Sequence, residues 1–308
     1  MSPPALSSRR RARCCCSSHC CALAPRRARR AQRVRSECSP KKHPPALITE
    51  AGALPLLVAL LRAGIKQGKA NAAMAIGMLA DDESTGKLIL EAGALPPLVA
   101  LLHAGTKQGK ESAARVIGML ANDESTCALI VEAGALPLLV ALLHAGTKQG
   151  KANAAMAIAE RANDESTGEL ILEAGVLPPL VALLRAGTKQ GKESAARAIG
   201  MLANDESTCA LIVEAGALPP LVGLLRAGTQ EGKMNAAMTI AELANDESTR
   251  AFITEVGALP LLVALLRASS EKGKANARAV AAISWLAYDA PTRTLILEAG
   301  ALLPLVAL

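Results

Sequence analysis

The stretch "EAGVLPPLVALLRAGTKQGKESAARAIGMLAND", Glu173–Asp205, decides the fold because the chain keeps returning to it. Its opening Glu-Ala-Gly starts at Glu50, Glu91, Glu132, Glu173 and Glu214, becomes Glu-Val-Gly at Glu255, and returns at Glu298. The spacing is 41 residues five times, then 43. Self-similarity at such a period marks stacked supersecondary units, none of which buries its apolar face alone. Residues 50–297 thus form six full units, and 298–308 begin a seventh. Units one and three carry Gly-Lys-Ala-Asn-Ala-Ala-Met, whereas two and four carry Gly-Lys-Glu-Ser-Ala-Ala-Arg. The array therefore reads as a duplicated pair of units.

Each unit parses into three helices. "DESTCALIVEA", Asp123–Ala133, is a first helix, with acidic and hydroxyl residues suited to capping and Gly134 suited to a left-handed stop. "LPLLVALLHA", Leu136–Ala145, is a second, with Pro137 in the first turn where no backbone donor is missed, and Gly146 after it. "KQGKANAAMAIAERA", Lys148–Ala162, is the third and longest, with Thr147 as its N-cap. Only one Trp, one Tyr and one Phe occur in 308 residues, so the core is built from Leu, Ile, Val, Met and Ala. That composition favours helices over strands.

The octet "GTKQGKES", Gly105–Ser112, looks like a phosphate-binding loop. Such a loop needs four residues between its glycines and a hydroxyl directly after the lysine. Here Gly105 and Gly109 enclose three, and Glu111 follows Lys110. The octet also follows a helical pattern rather than a strand. It reads as a helix stop at Gly105 and a cap at Thr106, and no nucleotide or other cofactor is expected.

The unit is similar to an armadillo repeat. The marks are A-G-V-L-P-P-L-V-A-L-L at Ala174–Leu184 and A-A-R-A-I-G-M-L-A at Ala195–Ala203, recurring six times over about four-fifths of the chain. The resemblance implies an all-α, right-handed superhelix with three helices per repeat of about 41 residues. It also implies third helices lining a concave groove, and an interaction scaffold rather than an enzyme.

In that family each third helix tends to present a Trp and, four residues on, an Asn, which hold an extended peptide. The Trp position is Met74, Arg115, Met156, Arg197, Met238 and Ala281 here. The Asn position is Met78, Met119, Glu160, Met201, Glu242 and Trp285. Neither ladder is kept, which weighs against the importin-α manner of reading basic signals. Helical spacing directs Gln67, Asn71, Gln108, Ser112, Gln149, Asn153, Ser194 and Asn235 toward the same groove. Methionines suit varied partners, or pack between repeats. Glu111–Arg115 and Glu193–Arg197 have the spacing of exposed intrahelical ion pairs. Trp285 is the candidate anchor, or closes the core end beside Tyr288. Arg161 takes a position held by Leu79, Leu120, Leu202 and Leu243, so its head is expected to reach the surface or an acid. His103 and His144 stand at second-helix C-termini, where Arg stands in other units, and suit the dipole rather than a metal. Cys127 and Cys209, two repeats apart, are too distant for a disulfide.

Charge separates a tail from this body. Residues 1–45 hold ten Arg and two Lys against Glu37, a net +11, whereas the remainder has 22 basic and 26 acidic residues, a net −4. An acidic body nearly devoid of stacking aromatics argues against nucleic acid. The tail, basic and Cys-rich, is expected to be disordered alone. Three functional readings stay open. It is an organellar transit peptide, a nuclear or nucleic-acid-binding address, or an anchor acylated at Cys14, Cys15, Cys16, Cys20 and Cys21. The last resembles the yeast vacuolar armadillo adaptors, and an extension without function is the plain alternative. No run is long and apolar enough to span a membrane, so membrane association is expected through the tail only.

The expectation is thus residues 1–45 as tail and 46–308 as repeat domain, a non-catalytic scaffold or adaptor for a partner's extended segment or helix. A cytoplasmic location follows, membrane-associated if the tail is acylated and organellar if it is a transit peptide. The alternatives are a membrane adaptor and the interaction region of a larger enzyme such as a ubiquitin ligase. The apolar last stretch, "ALLPLVAL", suits a fragment or an end covered by a partner or second copy.

Overall fold

A computed structural model of the chain describes residues 52–80, 85–121, 124–162, 165–268 and 274–306. All helices below lie in one compact unit, Pro45–Leu308. The described residues begin with a second and a third helix, α1 (Ala53–Ala63) and α2 (Lys66–Ala80). Five triplets follow. They are α3 (Gly86–Glu91), α4 (Leu95–Ala104) and α5 (Lys107–Leu120); α6 (Glu124–Glu132), α7 (Ala135–Ala145) and α8 (Lys148–Arg161); and α9 (Glu165–Glu173), α10 (Leu177–Ala186) and α11 (Lys189–Leu202). Then come α12 (Glu206–Glu214), α13 (Leu218–Ala227) and α14 (Gln230–Asn245), and α15 (Glu247–Glu255), α16 (Ala258–Ala268) and α17 (Lys274–Leu286). The first helix α18 (Ala290–Glu298) and the second helix α19 (Leu302–Val306) end the described chain.

The repeat's own residues place these breaks. The glycine of every Glu-Ala-Gly or Glu-Val-Gly is left-handed, with φ between 69° at Gly300 and 76° at Gly216 and Gly257. Side chains other than glycine rarely adopt this backbone, so it closes each first helix and turns the chain into the second. The glycine after the second helix serves differently. Gly105 is extended, and a Cβ there would lie 2.2 Å from the Leu101 carbonyl oxygen. The next residue caps the third helix: Thr106, Thr147, Thr188 and Thr229 each accept from a glycine N–H three residues on, at 3.0–3.1 Å. The lookalike loop at Gly105–Ser112 is such a junction. In unit one the cap is lost, because Ile65 stands there and is 79% exposed.

Packing follows the period. The third helices α2, α5, α8, α11, α14 and α17 pack side by side in series, each also against its own second helix. A column of buried isoleucines, Ile76, Ile117, Ile158, Ile199, Ile240 and Ile283, runs through this layer. Ile89, Ile130, Ile171, Ile212, Ile253 and Ile296 form a second column on the first helices. Between them the buried threonines Thr85, Thr126, Thr208 and Thr249 donate to Leu79, Leu120, Leu202 and Leu243 carbonyls at the end of the preceding third helix. A helix's last carbonyls have no partner of their own, so each hydroxyl joins a first helix to the repeat before it. The result is an all-α solenoid. Among the described residues no single helix is long and apolar enough to cross a membrane.

Arg161 departs from expectation. Its head does not reach water and makes no salt bridge among the described residues, although its charge acts on the Glu160 carboxyl: the residue is 3% exposed, and Nη2 donates to the Ala121 and Glu160 carbonyls. Nε and Nη1 have no partner. The register is nonetheless the repeat's own, since Gly134, Thr147 and Ile158 all sit where the period puts them. The long side chain reaches back to the end of the preceding third helix, whose terminal carbonyl offers the acceptor.

Candidate functional site

The third helices expose one face along the array, and four rows of residues occupy it. The first row is glutamine in units one to four and Glu231 in unit five. Gln67 Nε2 donates to Gln108 Oε1 at 3.3 Å and to Asn71 Oδ1 at 3.0 Å. Gln149 Nε2 repeats this with Gln190 Oε1 at 3.1 Å and Asn153 Oδ1 at 2.9 Å. Gln190 belongs to this row although the motif reading above does not single it out; its signal is the 41-residue step from Gln149.

The second row divides. Asn71 is exposed and Ser112 half-buried, but Asn153, Ser194 and Asn235 are buried. Asn153 Nδ2 donates to the Glu111 carbonyl at 2.9 Å, and Asn235 Nδ2 to the Glu193 carbonyl at 3.1 Å. These two amides are turned into the preceding third helix. Burial corrects the expectation for those three residues. Alternation along a helix sets direction, and the neighbouring helix then decides exposure.

In the third row Met74 is 47% exposed and Arg115 exposed, while Met156, Arg197, Met238 and Ala281 are half-buried. The Met238 methyl lies over Gly200, 2.9 Å from where a Cβ would stand, so this methionine packs between repeats. In the fourth row Met78 is 64% exposed, and Met119, Glu160, Met201 and Glu242 are half-buried. Met201 packs on the core. Trp285 is 36% exposed and stacks on Tyr288, with centroids 5.7 Å apart and planes at 27°. Arg250 lies over the Tyr288 ring at 5.7 Å and pairs with Asp289 at 3.2 Å, so Trp285 belongs to an aromatic cluster near the end of the described array.

The charges pair across repeats. Arg197 grips Glu160 with two contacts, Nη1 to Oε1 at 2.9 Å and Nη2 to Oε2 at 3.1 Å. Arg278 meets Glu242 at 3.6 Å. The intrahelical pair read for Arg197 is therefore replaced by a bridge to the previous third helix. Glu193 and Glu111 accept instead from the cap hydroxyls of Thr229 and Thr147 in the following repeat. Burial pushes the Glu160 carboxyl above its ordinary value, and Arg197 and Arg161 pull it back.

Other candidates resolve more simply. His103 and His144 are exposed at second-helix ends, and among the described residues no group of three His, Cys, Asp or Glu could hold a metal. Where Arg replaces them, Arg62, Arg185 and Arg267 reach the left-handed turn of the next repeat at Gly93, Gly216 and Gly300. Cys209 is buried and donates to the Ala203 carbonyl, its thiol pushed up to about 12 by that burial and nearby acids. The Cys127 side chain and the acylation candidates Cys14, Cys15, Cys16, Cys20 and Cys21 lie outside the described residues, as does the whole tail.

No family model matches the sequence, and no curated protein does. Solved structures do. One is a designed armadillo repeat protein, 32% identical with a TM-score of 0.69, the match covering 76% of this chain and 99% of that one. A second, from work on computationally designed armadillo repeat proteins for modular peptide recognition, is 32% identical with a TM-score of 0.66, covering 75% and 99%. A third is a designed armadillo repeat protein in complex with the peptide (KR)4, 30% identical with a TM-score of 0.66, covering 76% and 99%.

Proposed function

The chain belongs to the armadillo-repeat family, and from that premise we propose that it is a non-catalytic, peptide-binding scaffold whose partner lies extended along the third-helix face. The observation that carries this is the unbroken side-by-side packing of α2, α5, α8, α11, α14 and α17. Packed helices lie about 8–10 Å apart, and an extended chain rises about 3.3 Å per residue, so about three peptide residues pass each repeat. The glutamine amides of Gln67 and Gln149 and their partners offer donors and acceptors to a peptide backbone. Met74 and Met78 add a polarisable apolar surface that adapts to different side chains. The designed neighbours made for modular peptide recognition support the same reading.

The test is selection of a displayed peptide library on the full chain, followed by fluorescence polarisation. Selected peptides should lose about tenfold or more in affinity to a Met74→Ser, Met78→Ser variant, a loss of about 1.4 kcal/mol, with an unchanged melting temperature. Equal binding by parent and variant would remove the peptide from this face.

A further inference from the structure

The array has a second charged surface, on a different edge. After residue 45 every lysine except Lys87 lies at, or just before, the start of a third helix. The second helices that precede them end in Arg62, His103, His144, Arg185, Arg226 and Arg267. Five acids, Glu91, Glu132, Glu173, Glu214 and Glu255, close the first helices, and four, Glu111, Glu193, Glu231 and Glu271, lie at or near the third-helix starts, where the basic residues outnumber them. A body of net negative charge thus carries a basic edge where second helices pass into third helices.

That edge is hollow. Between units one and two lies a cavity of about 860 Å³ with Arg62, Lys66 and Lys69 on one side and Pro96 and Pro97 of the next repeat on the other. Between units three and four a cavity of about 440 Å³ holds His144, Lys148 and Lys151 opposite Pro179. Between units four and five one of about 690 Å³ holds Arg185, Lys189 and Lys192 opposite Pro219 and Pro220. Each is floored by leucines of two repeats, as Leu61 and Leu101 floor the first. Lys151 donates to the His144 carbonyl, and Arg62 and Arg185 to the next repeat's turn, so these heads are anchored in place. Lys66, Lys69, Lys148, Lys189 and Lys192 have no acceptor among the described residues. The only carboxylate lining these three cavities is Glu193, engaged by Thr229.

We propose that this edge docks an acidic, extended segment of a partner protein, with carboxylates on the lysines and small apolar side chains against the leucine and proline walls. The inference goes beyond the third-helix reading and uses none of its residues. Charge complementarity selects an acidic occupant. Separate, apolar-floored cavities without an aromatic wall favour side chains over stacked bases.

The probe is a fluorescein-labelled peptide of Glu-Leu-Glu triplets, titrated into the full chain by fluorescence polarisation. Combined Lys66→Glu, Lys69→Glu, Lys189→Glu and Lys192→Glu should weaken it by about tenfold or more, whereas Lys87→Glu should change it by less than about twofold. Negative charge suits a helix N-terminus, so the variant is expected to fold. Met74→Ser with Met78→Ser should leave this binding unchanged, which separates the edge from the third-helix face. Three results would each overturn the proposal. They are retained affinity in the fourfold variant, as basic residues 1–45 would produce, an equal loss with Lys87→Glu, and equal competition by a single-stranded oligonucleotide of matching charge.

Discussion

Met74 in α2 and Met156 in α8 stand in third helices that share the run Lys-Gln-Gly-Lys-Ala-Asn-Ala-Ala-Met-Ala-Ile. Met74 is nearly half exposed, and Asn71 beside it is exposed too. Around Met156 the same positions are closed: Asn153 is turned into the Glu111 carbonyl, and Glu160 is held by Arg197 of the next repeat. The difference lies in the neighbours, because α8 is flanked on both sides by third helices carrying Glu-Ser-Ala-Ala-Arg. One position of a repeat is therefore exposed in the first unit and part of an inter-repeat lock in the middle of the array.

The largest expected effect tests the centre. Arg161→Leu restores the residue found at this position in the five other units and removes two buried, unpartnered donors. A single such donor costs about 1–3 kcal/mol, so stability to urea should rise by about 2 kcal/mol. A fall would mean that the bond to the Ala121 carbonyl outweighs the orphaned groups. Next in size is a paired test of helix approach. Gly118→Ala should destabilise by about 1–2 kcal/mol, because its Cβ would meet the Ala157 backbone at 3.2 Å. Gly77→Ala in the first unit meets only a Val116 methyl at 3.3 Å and should be neutral or better, given the roughly 1 kcal/mol gained over glycine in a helix. Equal melting shifts would erase the contrast.

Capping offers a smaller, reciprocal pair. Thr147→Ala removes the cap of α8 and the hydroxyl that Glu111 accepts from, and should cost about 1 kcal/mol. Ile65→Thr gives α2 the cap it lacks and should gain up to about 1 kcal/mol, read from thermal melts of both variants. The smallest effect concerns pH. Burial raises the folded-state pKa of Glu160, so the folded state holds that proton more tightly than the unfolded chain. The associated stability is fully present below the ordinary value of 4.5 and is lost as pH rises through the raised folded value. Glu160→Gln should flatten that part of the profile of urea midpoints. A profile that slopes more steeply in the variant would show that Arg197 outweighs burial.

The repeat's punctuation was legible because it is local. A left-handed glycine, an extended glycine against a carbonyl and a threonine cap each depend on residues within one or two turns, and Gly93, Gly105 and Thr106 show all three in one repeat. The candidate face was legible only in outline. Helical spacing named its rows, but not that Asn153, Ser194 and Asn235 are buried or that Arg197 leaves Glu193 for Glu160. The basic cavities were less legible still. Their lysines are plain in the sequence, but each cavity needs the proline wall of the next repeat.

By itself, then, the amino-acid order determined the period, the three-helix unit and the apolar columns, since these follow from backbone preferences and hydrophobic spacing within about forty residues. Tertiary structure alone decided which copies of a repeated residue are open and which are locked. Identical sequence cannot encode that difference, because it arises from the side chains of the repeats on either side.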